Sequence, residues 1–304
     1  MTSIHYGISG QTLDVTKVVL EMMGNEESFM IPRLDAKRAQ LFGDPLPNVI
    51  KSIFVTDSLG VTKEFDYAKK VRIQGGQVAP PTKTILYTNA RNEKNILEWV
   101  CHHLTLGFDH IHILDHRSTV PISKVLSKVI HDTQKITVEP IEEFEKSRAI
   151  INAYYDSRDV YDWMLYMDAD EFLVLNHHTT VQEFLSSRLD YDQITVQWLM
   201  FGSNHKHDLL RSDETILETY TRSESILNFH MKTFLNLNTE VAKDEFGFHM
   251  YMLRDMSRSI SAEFEPLPLN PWGIHILLII LFILNQNSIL LQLLMLLTTS
   301  TNLT

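Results

Sequence analysis

From residue 83 onward, short apolar runs alternate with longer amphipathic segments, and this alternation restricts the chain to few folds. The runs of strand length occupy residues 83–88, 110–115, 135–140, 162–172 and 193–201. Segments with apolar residues every three or four positions occupy residues 96–108, 122–130, 142–158 and 180–188. Strands that alternate with helices form mostly parallel sheets covered on both faces. The sequence therefore predicts an α/β fold with a doubly wound, mostly parallel sheet.

Polar segments follow three of the predicted strands, at residues 89–93, 115–118 and 168–171. In doubly wound sheets, ligands bind beyond the carboxyl ends of the strands. We therefore expect these three segments to lie close together at one edge of the sheet.

Charge and cysteine content exclude several classes of protein. The 304 residues carry 27 Lys and Arg against 38 Asp and Glu, a formal charge of −11, which argues against a nucleic-acid binder. The single Cys101 cannot form an internal disulfide. The first residues lack the basic and apolar regions of a signal peptide, so we expect a cytoplasmic protein.

Three regions of the chain differ in character. Residues 1–81 predict a small β-rich extension of two or three strands, with one strand at 50–55 and a turn at 57–60. Pro80 and Pro81 end this region. Residues 82–265 form the predicted α/β domain, and residues 266–304 form a tail without a single charged residue.

The tail allows three interpretations. Residues 274–297 have the length of a membrane-spanning helix, which predicts membrane attachment through this segment. The polar residues 285–288 interrupt it near its centre, however. A helical hairpin packed on the domain and an aberrant C-terminus are the alternatives.

The sharpest local feature is the string MLYMDADEF at residues 164–172. On an extended strand, Asp168 and Asp170 would point the same way, and the small Ala169 would leave room for a ligand. Acids at the end of a buried strand are costly unless a positive group neutralises them. Mn²⁺ or Mg²⁺ holding a substrate's diphosphate is the expected partner. A solvated turn, whose acids cap the next element, is the alternative.

Two further sets of polar residues lie in predicted helices. Lys146, Arg148 and Arg158 lie among acidic residues, which indicates a solvated helix face, and their spacing does not show which one could reach a phosphate. His102 and His103 are adjacent and diverge by about 100° on a helix, so they cannot share a metal. We expect one of them to pack inside and the other to be solvated.

Five blocks together resemble the glycosyltransferase family 2-like group that overlaps family 92. They are an Asn-Glu pair, a Glu-Trp helix with a His, a strand ending in Asp and Ser, the Asp-x-Asp-Glu-Phe strand end and a Trp…Phe-Gly-Ser segment. The blocks occur in this order over about residues 83–250. The resemblance implies a GT-A fold and a Mn²⁺- or Mg²⁺-dependent transfer of a hexosyl or related sugar. The donor would be a nucleotide-diphosphate sugar, the acceptor a glycan or glycolipid, and the reaction inverting.

The resemblance also implies roles for individual residues at the acidic end of the site. Asp170 would take the metal, and Asp168 would contact the ribose or a metal-bound water. His249 would be a third metal ligand, and Lys232 would contact the diphosphate.

At the nucleotide end, the Asn-Glu pair falls on Asn92 and Glu93, with Arg91 just before it. Asp115, which closes the second strand, would face the base or the ribose.

The catalytic base is the least constrained part of the site. Glu171, Asp208 and Asp213 are the available acids, and spacing favours none of them. The resemblance favours Asp208, because it places the acceptor near the segment FGSNHKHD. That segment departs from the usual Phe-Gly-Ser-Ser-Gly-His, so a catalytically inactive module that binds a nucleotide sugar or glycan is an alternative. A phosphohydrolase of the Asp-x-Asp type is a third hypothesis.

Overall fold

The computed structural model describes residues 2–128, 134–202, 214–225, 228, 230–247, 249–253, 255–262 and 279–283, with the backbone alone at 242–246 and 279–283. Its N-terminal part has more secondary structure than the sequence predicted. The elements are β1 Ser3–Ile8, β2 Gln11–Asp14, α1 Thr16–Met23, β3 Ser28–Ile31, α2 Asp35–Phe42, β4 Ser52–Thr56, β5 Thr62–Phe65, β6 Val71–Gln74 and β7 Gln77–Val78. They form antiparallel sheets in the orders β2-β1-β4-β5 and β3-β6-β7.

The β-rich character of this region is confirmed, but the prediction of two or three strands is wrong. All seven of its strands are only two to six residues long, too short for periodicity to stand out. The region has a hydrophobic cluster of its own, to which the buried Tyr6, Ile31, Ile53 and Ile73 contribute. That cluster, rather than any single long strand, stabilises it.

Buried cations join the N-terminal region to the rest of the chain. Arg33 Nη2 donates to the carbonyl oxygens of Arg158 and Leu237, both at 2.6 Å. Lys70 Nζ donates to the carbonyl oxygens of Arg158, at 2.8 Å, and of Tyr161. These side chains therefore satisfy main-chain acceptors in two turns of the following domain.

The second part of the chain contains the longer helices. Its strands are β8 Thr84–Ala90, β9 His110–His116, β10 Ile136–Ile141, β11 Trp163–Tyr166, β12 Glu171–Val174, β13 Gln193–Gln197, β14 Leu199–Phe201, β15 Met231–Asn236, β16 Val241–Phe246, β17 Tyr251–Leu253, β18 Ser259–Ser261 and β19 Ile279–Ile283. Its helices are α3 Ile96–Thr105, α4 Ile122–Leu126, α5 Lys146–Ser157, α6 Val181–Ser186, α7 Ile216–Thr219 and a 3-10 turn at Met256–Arg258.

A seven-stranded sheet in the order β10-β9-β8-β11-β15-β13-β18 organises this part. β15 runs antiparallel to both of its neighbours, and the remaining adjacent pairs are parallel. One hydrophobic cluster includes residues of α3 and α4 and covers one face, and a second includes residues of α5 and covers the other. The predicted doubly wound, mostly parallel sheet is confirmed.

The acidic string does not lie on one continuous strand as predicted. β11 ends at Tyr166, and the amide of Glu171 donates to the carbonyl of Asp168 at 3.1 Å, which closes a turn before β12. β12 then joins a different sheet, in the order β12-β19-β14. Asp168 and Asp170 therefore lie in a turn, where the alternating directions of a strand do not apply.

Only residues 279–283 of the uncharged tail are described, and they form β19 between β12 and β14. In the part of the chain that the structure describes, no helix has the length and apolar character needed to cross a bilayer. Membrane attachment through residues 274–297 stays a prediction.

Candidate functional site

The turn from Asp168 to Glu171 is the centre of the candidate site, and side chains from distant elements meet there. Lys146 is the first residue of α5, and its Nζ lies 2.5 Å from Asp168 Oδ1. Lys232, on β15, places its Nζ 2.8 Å from Asp168 Oδ2 and 3.4 Å from Glu171 Oε2. Each oxygen of the Asp168 carboxylate therefore accepts from a different lysine.

Sheet topology explains why Lys232 is here. β15 runs antiparallel beside β11, with Leu165 opposite Phe234 and Trp163 opposite Asn236. Continuing this register past the end of β11 brings Lys232 next to the turn. Lys232, which lies 64 positions further along the chain, thus neutralises Asp168 at the end of β11.

The three acids of the turn have different electrostatic environments. Although burial opposes it, the charges of Lys232 and Lys146 lower the pKa of Asp168 to about 2. Burial, reinforced by the charge of Asp168, raises the pKa of Asp170 to about 6. Burial also raises the pKa of Glu171 to about 8, although the charge of Lys232 opposes this. Among the described residues, Asp168 and Glu171 each form an ion pair with Lys232, whereas Asp170 forms none.

Glu171 is a completely buried member of this cluster. Its Oε2 accepts from the main-chain amide of Asp168 at 3.0 Å, and its Oε1 has no hydrogen-bond partner among the described residues. Its side chain thus links the two ends of the turn from inside the protein.

Helix α3 holds β12 in place through side chains that bond to main-chain atoms. Trp99 Nε1 donates to the carbonyl of Glu171 at 2.6 Å. His103 donates from Nδ1 to the Trp99 carbonyl at 2.8 Å and accepts the Leu173 amide on Nε2 at 3.2 Å. His102 Nε2 lies 2.7 Å from the Leu173 carbonyl, so it is bonded to the protein rather than solvated as expected.

Asn92 links two loops at the predicted edge of the sheet. Its φ of 53° lies in the left-handed region, which Asn tolerates better than most residues. Its amide donates to Ser118 Oγ at 2.9 Å, and its Oδ1 accepts the Thr119 amide at 2.7 Å. The loop after β8 and the loop after β9 therefore meet, as the sequence predicted.

The other residues predicted for the nucleotide end lie at the same edge. Glu93 Oε1 accepts the Asn95 amide at 3.2 Å, and the charge of Glu93 is one of those that raise the pKa of Asp170. Arg91 is exposed. The three predicted polar segments therefore converge. The loop after β8 is hydrogen-bonded to the loop after β9 through Asn92, and its Glu93 is close enough to the turn after β11 to affect Asp170 electrostatically.

Asp115 has a structural task that the sequence did not suggest. Its side chain is buried, and its two oxygens accept the amides of Ser118, at 3.3 Å, and Ile122, at 2.9 Å. It therefore closes the turn after β9 and begins α4. A contact with a base or ribose would add to these bonds, and that contact stays a prediction.

His249 lies in a cluster of rings beside Lys232. Its Nδ1 donates to the carbonyl of Met231 at 2.9 Å, which leaves Nε2 as the acceptor nitrogen. Burial and the charge of Lys232 lower its pKa to about 4, so the ring is neutral near pH 7. Trp198 stacks on His230 with centroids 4.8 Å apart, and both rings also contact His249.

The donor chemistry of Asp170 and His249 fits a divalent cation better than that of Asp168. A carboxylate short of counter-charge and a neutral imidazole nitrogen are suitable ligands for Mn²⁺. Both oxygens of Asp168 already accept from ammonium groups, so a metal ion there would compete with two lysines for this carboxylate. Among the described residues, no three His, Cys, Asp or Glu side chains are grouped closely enough to bind a metal by themselves.

The residue predicted as the catalytic base, Asp208, lies outside the described residues, as does most of the segment FGSNHKHD around it. Lys146, by contrast, is a member of the site that spacing alone did not identify. Its neighbours Arg148 and Glu145 point to a solvated helix start, and only the placement of α5 brings its ammonium group to Asp168.

A cavity of about 310 Å³ lies between α5 and the strands β8 to β10. The ring of Tyr87, which lines it, stacks on that of His112 with centroids 4.8 Å apart. The residues of the turn 168–171 do not line this cavity. The turn and the cavity are therefore separate features of the same domain.

The sequence model of glycosyltransferase family 92 matches residues 83–243, just over half of the 304 residues. No curated protein sequence matches the chain significantly. A structure of S. aureus TarS 1–349 shares 12% identity at a TM-score of 0.35, over 57% of this chain and 58% of that one. The same fragment with UDP-GlcNAc shares 13% identity at a TM-score of 0.35, over 64% and 62%.

A structure of GalNAc-T7 with UDP, GalNAc and Mn²⁺ shares 15% identity at a TM-score of 0.32, over 40% of this chain and 24% of that one. The chain spans less than two thirds of the length of each of these three structures.

Proposed function

The chain belongs to glycosyltransferase family 92, and from this premise we propose that it transfers a sugar from a nucleotide-diphosphate donor to a glycan or glycolipid acceptor. The observation that carries the proposal is the turn of Asp168, Asp170 and Glu171 with Lys232 against it, at the edge of the sheet where β8, β9 and β11 end. Doubly wound sheets bind ligands at this edge.

The residues of the turn suit the binding of a diphosphate. The ammonium group of Lys232 is buried and held by Asp168 and Glu171, so it is fixed before a substrate arrives. A pre-positioned cation stabilises charge that develops in a transition state without the cost of reorganisation. Lys232 would therefore contact the diphosphate, with Arg91, Asn92 and Glu93 on the nucleotide side.

The transfer requires charge stabilisation on the leaving group. The bond between the anomeric carbon and the diphosphate oxygen breaks, and its electron pair stays on that oxygen. An acceptor hydroxyl oxygen bonds to the anomeric carbon from the opposite face, which inverts it, and the hydroxyl proton passes to a base, for which Asp208 is the candidate. Lys232 interacts more strongly with the departing diphosphate than with the intact donor, and this difference lowers the barrier.

A divalent cation, Mn²⁺ or Mg²⁺, would supply further positive charge for the leaving diphosphate when bound. Asp170 and His249 would hold it, together with oxygens of the donor, and Asp168 would join them in competition with its two lysines. Asp170 forms no ion pair among the described residues, and burial together with the charge of Asp168 raises its pKa, so a bound cation would stabilise its charged form.

Isothermal titration calorimetry tests the proposal. UDP, GDP, CDP and ADP are titrated into the wild type and into Asp170→Ala, with Mn²⁺ and with EDTA. We expect at least one nucleotide to bind in a metal-dependent way, and Asp170→Ala to weaken that binding at least about tenfold, the value of one charge-assisted contact. Asp190→Ala, which removes an exposed acid away from the turn, is the control.

The outcomes separate the alternatives. A folded wild type that binds none of the four nucleotides would refute the proposal. Unchanged metal dependence in Asp170→Ala would refute the metal assignment alone. Binding without hydrolysis or transfer of the matching nucleotide sugar would favour an inactive binding module.

A further inference from the structure

Helix α5 runs from the candidate site to the N-terminal region of the chain. Lys146, its first residue, places its ammonium group against Asp168. The far end of α5 lies at Ser157 and the C-cap residue Arg158, whose carbonyl is hydrogen-bonded to side chains of residues 1–81. The helix has 12 residues, so its two ends are about 16 Å apart. Residues that fix the far end of α5 therefore also influence where Lys146 lies.

Two buried cations of the N-terminal region hold the far end of α5. Arg33 and Lys70 are 2% and 3% exposed, and both donate to the carbonyl of Arg158, at 2.6 Å and 2.8 Å. Lys70 also donates to the carbonyl of Tyr161. The last carbonyls of a helix have no partner within the helix, and a helix C-terminus attracts positive charge. These two side chains therefore stabilise the end of α5 by hydrogen bonding and by charge.

Arg33 also connects α5 to β15. Nη2, the nitrogen that bonds to the Arg158 carbonyl, donates in addition to the carbonyl of Leu237 at 2.6 Å, directly after the end of β15. β15 carries Lys232, which binds the other oxygen of Asp168. One guanidinium group thus contacts the far ends of both elements whose lysines bind Asp168.

Of these two elements, α5 is the less constrained. β15 is hydrogen-bonded to β11 on one side and to β13 on the other, so the sheet fixes its register. A helix forms its main-chain hydrogen bonds internally, so α5 is held by side chains instead. In its last turn, Tyr154 Oη donates to the Thr239 carbonyl at 2.8 Å, and Ser157 Oγ donates to Tyr87 Oη at 3.0 Å. Contacts at this end therefore set where α5 lies along its own axis.

A displacement of α5 would reach the turn 168–171 through Lys146. The ammonium group of Lys146 lies 2.5 Å from Asp168 Oδ1, so a shift of about 1 Å would lengthen this contact beyond hydrogen-bonding distance. Asp168 would keep Lys232 on its other oxygen and would be held from one side only. Asp170, the proposed metal ligand, follows in the same turn and would lose its present position with it.

We propose that Arg33 and Lys70 are positioning residues for the candidate site, because by holding the far end of α5 they keep Lys146 against Asp168. This inference rests on the proposed function, since it assumes that a nucleotide binds at the turn 168–171. It extends that function by giving the N-terminal region, which lies at the opposite end of α5, a part in the binding of the donor.

A double-mutant cycle tests the inference. Wild type, Lys70→Met, Lys146→Gln and the double variant are titrated with UDP, GDP, CDP and ADP in Mn²⁺. We expect each single substitution to weaken diphosphate binding by about 3- to 30-fold, the range for mutations that act on a distant site. In the Lys146→Gln background, Lys70→Met should weaken binding by less than about twofold, whereas substitutions this far apart ordinarily have additive effects. The contact that α5 would misplace is already absent there.

Tyr6→Phe is the control for a general loss of stability. Tyr6 is fully buried, and its hydroxyl donates to Asp35 Oδ1 at 2.6 Å within the N-terminal region. This variant should lower the melting temperature and leave the nucleotide affinity unchanged. All titrations are made at a temperature at which thermal unfolding shows the variants to be folded. Lys70→Gln, which keeps a neutral donor, takes the place of Lys70→Met in the cycle if the latter does not fold.

Several results would overturn the inference. Unchanged affinity in either single variant, an equal loss from Lys70→Met in both backgrounds, or the same loss in Tyr6→Phe would each do so. These results would leave the proposed function standing, because the wild type still binds. A folded wild type that binds none of the four diphosphates would remove the proposed function together with this inference.

Discussion

Trp99 Nε1 donates a 2.6 Å hydrogen bond to the main-chain carbonyl of Glu171, so a helix that follows β8 holds the end of the acidic turn. Both residues are fully buried. The turn therefore depends on α3 for its position, although α3 supplies none of the charged groups that surround Asp168.

Trp99→Phe should lower both stability and nucleotide affinity. The substitution leaves a buried carbonyl without its donor, which costs about 1–3 kcal/mol of unfolding free energy. Trp163→Phe is the matched control, because Trp163 is equally buried and its Nε1 donates to the Pro81 carbonyl at 2.8 Å, away from the turn. Urea unfolding should show similar losses in the two variants, and calorimetry should show weaker nucleotide binding only in Trp99→Phe. Equal affinities would mean that α3 does not position the site.

Asp170→Asn should stabilise the protein in EDTA while it weakens metal-dependent binding. The pKa of Asp170 is raised to about 6 by burial and by Asp168, so the charged form destabilises the folded state at pH 7. The folded state holds the proton more tightly than the unfolded state, so this destabilisation grows as pH rises from about 4 to 6. The variant should gain about 1–3 kcal/mol at pH 7 and much less at pH 4. A gain that does not depend on pH would contradict this explanation.

His103 should make the protein more sensitive to acid. Burial lowers its pKa well below the usual value, with a smaller contribution from the charge of His102. The unfolded state therefore binds more protons below about pH 6.5, and stability is lost as pH falls from there. His103→Gln should be less stable at pH 7.5 but should lose about 1 kcal/mol less than the wild type between pH 7.5 and 5.5. Parallel curves for the two proteins would show that His103 does not cause the acid sensitivity.

Arg33 should stabilise the junction between the N-terminal region and the sheet of seven strands. Arg33→Met leaves the carbonyls of Arg158 and Leu237 without this donor, which should cost about 2–4 kcal/mol. Arg33 Nε also pairs with Asp159 at 3.0 Å. Lys37→Met is the control, because Lys37 pairs with Asp159 too, in an exposed ion pair worth about 0–1 kcal/mol. Proteolysis near residue 81 should accelerate in Arg33→Met alone. Equal proteolysis rates would indicate that other contacts hold the two parts together.

Local pattern was sufficient for the elements of the sheet. β8, β9 and β10 lie within one or two residues of the predicted runs, and α3 and α5 lie within their predicted segments, because each buries a periodic set of apolar side chains. The run at 193–201 was predicted as one strand, and the structure divides it into β13 and β14 around Trp198. The strand is interrupted because β13 and β14 pair with different strands in different sheets. The periodicity of apolar residues along the chain does not show which strands pair.

The sequence by itself determined the alternation of strands and helices, the edge at which the loops meet and the acids that lie there, because these follow from periodicity and from strand direction. Tertiary structure decided which charges surround those acids. Lys146 and Lys232 are 22 positions before and 64 positions after Asp168, and only the packing of α5 and the insertion of β15 beside β11 bring them together. Electrostatic partners are selected by distance in space, and a spacing in sequence fixes that distance only within one helix or one strand.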